Sequence, residues 1–223
     1  MSHLFIVTSA INSQISVIPM EERYKDTFQT IESIRQKVPD SIILLSESSP
    51  QPVSEEYVKE LSSKVDYMLL TSRNPDVVQL GLQAQKSPAE CYSMFLSIDF
   101  IENLKLPNIQ RVFKITGRGK FTDDFNIDYY NTQDVVGKFV YKKRVQSWMS
   151  KDVYLVDTRI SSFCYSILPE AKEMMKTLVN HCLQTGRDVE HCTFELIDKN
   201  KLVEKEVMGY ECRISSTGEF RYD

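Results

Sequence analysis

The sequence predicts an α/β fold with a mostly parallel central sheet flanked by helices, in a single domain spanning 1–223. Three features predict it. Short apolar runs rich in β-branched residues alternate with amphipathic helical segments over the first half of the chain. The 223 residues suffice for one full core, and 42% hydrophobic with 26% charged residues is an ordinary globular composition. No repeat, linker or low-complexity tract divides the chain.

"LFIVTS" (4–9) is a continuous apolar run of the kind shown by a strand buried on both faces. In "EERYKDTFQTIESIRQKV" (21–38), Tyr24, Phe28, Ile31, Ile34 and Val38 recur three or four apart and share a helical face, and Pro39 with Asp40 ends the helix. "SIILLS" (41–46) is a second buried strand, so this β-α-β unit should be parallel with a right-handed crossover. A helix over 55–64 leads to a third strand, "DYMLLT" (66–71). In "KSPAECYSMFLSIDFIENL" a helix start is written out, with Ser87 as N-cap, Pro88 at the first helical position and Glu90 closing a capping box. That helix delivers the chain to a fourth interior strand, "RVFKIT" (111–116). Residues 137–143 and 152–158 read as strands. A helix over 169–186 has Pro169 near its start and Gly186 as its stop signal, and Asp188 caps a last helix, "VEHCTFELI". "VMGYECRI" (207–214) and a turn at "SSTGEF" follow.

A net charge of −4 gives no global attraction to nucleic acid or anionic lipid, so neither is an expected partner. Five scattered cysteines without C-x-x-C spacing read as buried free thiols of a reducing compartment. "MSHLFIVTS" has no basic n-region, and no apolar segment approaches the ~20 residues of a membrane span. The expected location is the cytoplasm.

The chemistry concentrates at strand ends. "KITGRGKF" sets Gly117, Arg118 and Gly119 after an interior strand, where open α/β sheets place their ligands. The third glycine of a dinucleotide fingerprint and a Walker loop are both missing. The stretch either cradles a phosphate or turns a corner, with Arg118 free to fork onto an anion. Asp123 and Asp124 offer carboxylate oxygens to Mg²⁺ or Mn²⁺, or cap a turn. Asp157 and Arg159, two apart at a strand end, orient a sugar or pair with each other. Glu190 and His191 in the first turn of a helix supply a carboxylate base and a titratable donor, although the helix dipole also favours Glu there. His3 and His181 read as structural, and Trp148, Tyr129, Tyr130 and Tyr141 near "YKKR" either offer aromatic surface for stacking on a base or sugar ring or, as the default, belong to the aromatic core. With three histidines, no G-x-S-x-G elbow and no zinc spacing, hydrolase and zinc chemistry have no support.

Taken in order, "VTSAIN", "ERYKDTFQTI", "SIILLSE", "FKITGR", "YLVDTR", "VEH" and "GYECRISSTGE" resemble a GT-A-type glycosyltransferase, and "KITGRG" resembles the K-I-S-G-R-Y segment of sugar-transferring proteins from bacterial polysaccharide clusters and large phages. The resemblance implies a nucleotide-sugar donor bound by an N-terminal half (about 1–116) and a carbohydrate or other hydroxyl acceptor bound by a C-terminal half (about 117–223). It implies that Thr8, Ser9, Ala10 and Glu47 line the nucleotide pocket, and that a D-x-D motif holds Mn²⁺ against the diphosphate. No D-x-D occurs in this chain, and Gly119 stands where an aromatic residue is usual. Transfer without metal needs cations on the leaving diphosphate, and Arg118 with Lys114 or Lys120 is the set at hand. If the reaction inverts the anomeric centre, Glu190 or Asp157 would deprotonate the acceptor hydroxyl. A binding module that kept the fold and lost the metal motif is the competing expectation. A nucleotidyltransferase is disfavoured, since "TSAINSQ" carries no glycine.

Overall fold

The computed structural model describes residues 2–13, 16–83 and 85–223. In chain order its elements are β1 (Ser2–Ser9), α1 (Met20–Lys37), β2 (Ile42–Glu47), α2 (Glu55–Ser62), β3 (Tyr67–Leu70) and α3 (Pro75–Gly81). Then come α4 (Ser87–Leu104), β4 (Ile109–Thr116), β5 (Gly119–Phe121), β6 (Phe139–Lys142), β7 (Val145–Gln146) and β8 (Tyr154–Leu155). The chain continues through β9 (Ile160–Cys164), α5 (Leu168–Thr185), α6 (Val189–Leu196), β10 (Leu202–Lys205), β11 (Tyr210–Arg213) and β12 (Phe220–Tyr222).

A seven-stranded sheet runs β10-β6-β9-β4-β1-β2-β3. The neighbours β4, β1, β2 and β3 are parallel, so their carboxyl ends share one edge. The expected interior strands 4–9, 41–46 and 111–116 all lie here, and the mostly parallel α/β sheet is observed. Period-two alternation divides each central strand between two cores. Phe5, Val7, Ile43, Leu45, Phe113 and Ile115 face α1, while Leu4, Ile6, Leu44 and Val112 face α4 and α5.

Two departures shape the site. Of the expected strand 152–158 only Tyr154–Leu155 is extended, as β8, and it pairs with β7 in a hairpin outside the central sheet, whose antiparallel strand between β4 and β6 is β9. "ISSFC" lacks an apolar run because Ser162 takes a hydrogen bond from the buried Arg111 guanidinium of β4, at 3.0 Å. The second departure concerns α1, which carries a buried polar face beside its apolar one. Thr27 donates to the Gly117 carbonyl at 3.0 Å, Thr30 to the Gly119 carbonyl at 2.5 Å, and Ser33 accepts from the Phe121 amide at 3.3 Å. Three hydroxyls one turn apart thus satisfy the corner after β4 and the α1-facing edge of β5, whose other edge pairs with β11 in a three-stranded sheet.

Candidate active site

At the carboxyl end of β4 the chain turns through Thr116, Gly117 and Arg118 into β5. Both glycines have negative φ, so they are required by close approach and not by a left-handed turn. A Cβ on Gly117 would lie 2.9 Å from Thr27 Oγ1 and 3.2 Å from Ser9 Cβ, and one on Gly119 would lie 2.1 Å from Tyr210 Cε2. The Gly117 amide also donates to the Thr8 carbonyl at 2.7 Å. The corner is therefore rigid, and it presents the Arg118 side chain, whose Nε donates to the Arg213 carbonyl at 3.2 Å.

Two more cations meet Arg118. Arg23, in the first turn of α1, is 3% exposed, and donates from Nε to the Ala10 carbonyl at 2.7 Å and from Nη1 to Ser16 Oγ at 2.9 Å. Burial and then the Arg118 charge pull it down to about 10, against the pull of Glu47 and Asp26, which leaves it cationic at neutral pH. Lys86, just before α4, is exposed, and partial desolvation followed by the charges of Arg23 and Arg118 lowers its ammonium below the usual lysine range. Among the described residues none of these three cations makes an ion pair with a carboxylate.

Carboxylates form the adjoining wall. Glu90 Oε1 pairs with Lys114 Nζ at 2.7 Å, and Lys114 also donates to the Thr158 carbonyl at 2.6 Å. Thr158 Oγ1 donates to Glu190 Oε1 at 3.1 Å. The first turns of α4 and α6 are fastened by the Val189 amide on Ser87 Oγ, at 3.0 Å. Ser87 and Glu90 therefore do not form the expected capping box, because both side chains have tertiary partners that a local reading cannot see. Burial, and then the charges of Glu90 and Asp188, push Glu190 up to about 7. Its folded pKa exceeds its unfolded one, so folding loses stability as pH rises from about 4.5 to about 7. Glu190→Gln should remove that loss. After discounting for partial exposure the gain is about 1–2 kcal/mol, or roughly 2–8 °C in Tm at pH 8, and nothing at pH 4. Melting both proteins across pH checks it; equal curves would show that Glu190 ionises at its ordinary pKa.

The remaining expected residues divide. Asp157 is gripped by Arg159, with the Arg159 amide at 2.9 Å and Nε at 2.8 Å on Oδ1. Burial raises Asp157, but Arg159 outweighs it and holds the carboxyl below its usual range. Lys114 is 5% exposed and lies under the cleft floor. Glu47 is 1% exposed and takes Ser9 Oγ, the Ser49 amide at 2.7 Å and the Ile11 amide at 3.4 Å, so it pins the loops after β1 and β2 in place of offering a free oxygen. Lys120 pairs with Glu211 at 2.7 Å, away from Arg118. His191 is buried, with Asp188 on Nδ1 and Ser147 Oγ 2.7 Å from Nε2, which fastens the β7–β8 hairpin to α6.

Asp123 and its neighbour Asp124, expected as metal ligands, lie away from these cations. Asp123 pairs with Lys37 in the last turn of α1, 14 residues or about 21 Å along the helix from Arg23. Sequence reading missed Arg23, Lys86 and Glu90. Arg23 sits in a first turn where acidic residues are usual, a weak signal that could have drawn notice. Lys86 and Glu90 carried none.

No protein-family model and no curated protein matches the chain. Its fold is that of GT-A glycosyltransferases. The galactosyltransferase LgtC, in complex with donor and acceptor sugar analogs, matches with a TM-score of 0.57 at 8% identity over 92% of this chain and 73% of that one. A glycosyltransferase involved in glycosylation of the major capsid of PBCV-1 matches at 0.53 and 8% identity, covering 92% and 82%. Core-mannan synthase A from Aspergillus fumigatus, in its Mn/GDP form, matches at 0.50 and 9% identity, covering 91% and 72%. Among the described residues no helix is long and apolar enough to cross a membrane.

Proposed function

We propose that this protein is a glycosyltransferase that moves a sugar from a nucleotide-activated donor to a hydroxyl acceptor. The observation that carries the reading is the convergence, at the strand ends of a GT-A fold, of three cations without carboxylate partners and a half-buried carboxylate with a pKa of about 7. Arg118, Arg23 and Lys86 offset the charge that builds on the leaving nucleotide, and Glu190 takes the acceptor proton. Thr158, donating to Glu190, aims the carboxylate, and Lys114 beneath it fixes Glu90. The donor then belongs to the half up to about 116, with Arg118 at its border, and the acceptor to the half beyond.

A panel of nucleotide sugars incubated with simple glycosides, read by mass spectrometry for glycosylated product, tests the reading. Product from at least one donor is expected. Because the base works ionised, kcat/KM should fall about tenfold per pH unit below about 7. Tight nucleotide binding with no product from any donor would leave a binding module on the same fold.

A further inference from the structure

The fold's relatives include a Mn/GDP complex, so a divalent cation is the group this site would be expected to hold. The residues present do not fit one. Where β4 ends the chain offers Thr116, Gly117 and Arg118, with no carboxylate. Of the nearby acids, Glu47 is already hydrogen-bonded on both oxygens, Glu90 is paired with Lys114, and Asp26 lies 3.7 Å from Arg213. Among the described residues no group of three or more His, Cys, Asp or Glu side chains is placed to hold a metal.

The cations show the complementary pattern. A buried guanidinium is ordinarily paired, because removing it from water is costly. Arg23 is 3% exposed and has only neutral acceptors: the Ala10 carbonyl, Ser16 Oγ and Ser215 Oγ. The Arg118 guanidinium has one carbonyl, and the Lys86 ammonium has no hydrogen-bond partner among the described residues. The two arginines flank the segment that leaves β11, since Arg23 reaches Ser215 while Arg118 bonds Arg213. Mutual repulsion among the three is compensated when a multivalent anion sits between them.

We propose that Arg23, Lys86 and Arg118 together hold the diphosphate of the nucleotide in place of a divalent cation. The inference rests on the transferase reading for the identity of the nucleotide, and on the side chains alone for the absence of metal. Arg23 organises the loops around the site and is left intact in the test. Lys86 is exposed and Arg118 stands between two glycines, so their truncation spares the core.

Calorimetric titration with inorganic pyrophosphate, UDP and GDP, each in EDTA and in Mn²⁺, tests it on the wild type, Lys86→Ala, Arg118→Ala and Arg118→Lys. Kd should agree within about twofold between EDTA and Mn²⁺. Each alanine variant should bind at least about tenfold more weakly, and Arg118→Lys should recover only part of its loss, since an ammonium lacks the planar fork. Apo melting temperatures should stay within about 2 °C. Binding that needs Mn²⁺, binding indifferent to both alanine substitutions, or no binding in either buffer would overturn the proposal. The two readings fail separately. Sugar transfer that occurs only with Mn²⁺ removes the cation site and keeps the transferase, whereas metal-free pyrophosphate binding without transfer from any donor does the reverse.

Discussion

Glu190→Gln should lower turnover on a nucleotide-sugar donor by about 10²–10⁴-fold while leaving the nucleoside diphosphate Kd within about twofold, the range expected for loss of a general base. The amide keeps the shape and can still meet Thr158, but it cannot take a proton. No other described carboxylate is poised to substitute. Asp157 is held ionised by Arg159, and Glu90 is held below its usual range by Lys114, which outweighs the opposing effect of burial. The same substitution should raise the melting temperature at pH 8, so lost activity in a more stable protein excludes unfolding as its cause. The ascending limb of the kcat/KM profile near pH 7 should vanish with it. A variant keeping more than a tenth of wild-type turnover would remove Glu190 from the chemistry.

The readable parts of this sequence are those whose burial is written locally. β1 and β2 are largely apolar runs buried on both faces, and a run of that kind states its own environment, while in β4 the apolar residues Val112, Phe113 and Ile115 carry the signal around the buried Arg111 and Lys114. Gly186 stops α5 in a left-handed conformation and Asp188 caps α6, each through a local backbone need. What stayed hidden is polar structure with distant partners. The α1 face of Arg23, Thr27, Thr30 and Ser33 looks like a solvated face, and it is buried because the β4–β5 corner and β5 bring unpaired backbone against its hydroxyls while Ala10, Ser16 and Ser215 cover Arg23. β9 is masked by serines that serve Arg111 and its neighbours.

The site follows the same division. Arg118 stood out because glycines flank it, and Glu190 because it opens a capped helix. Arg23, Lys86 and Glu90 come from segments remote in sequence, and their meaning depends on what the fold sets beside them. The glycines themselves were read for bending, whereas the structure uses them for contact.

That contact gives the largest expected change in stability. Gly119→Ala should lower stability by about 2–4 kcal/mol, at or above the usual cost of overpacking a well-filled core. The added methyl would fall 2.1 Å from Tyr210 Cε2 and 2.6 Å from Cζ, and Tyr210 is 4% exposed within the α1-side core, so the ring has little room to yield. Gly119 faces Cys212 across the β5–β11 ladder, and displacing β11 would also shift Arg213, whose carbonyl steadies Arg118. For a domain of this size the expected fall in Tm is roughly 4–16 °C. Tyr210→Ala alone should cost about 3–5 kcal/mol through its cavity. In the double variant the methyl partly fills that cavity, so adding Gly119→Ala to Tyr210→Ala should cost nothing further. The two substitutions should then couple by at least about 2 kcal/mol in a double-mutant cycle. Thermal and urea melts of the four proteins measure this. A single Gly119→Ala variant that melts within about 2 °C of wild type, or a cycle with no coupling, would show that the corner does not depend on this contact.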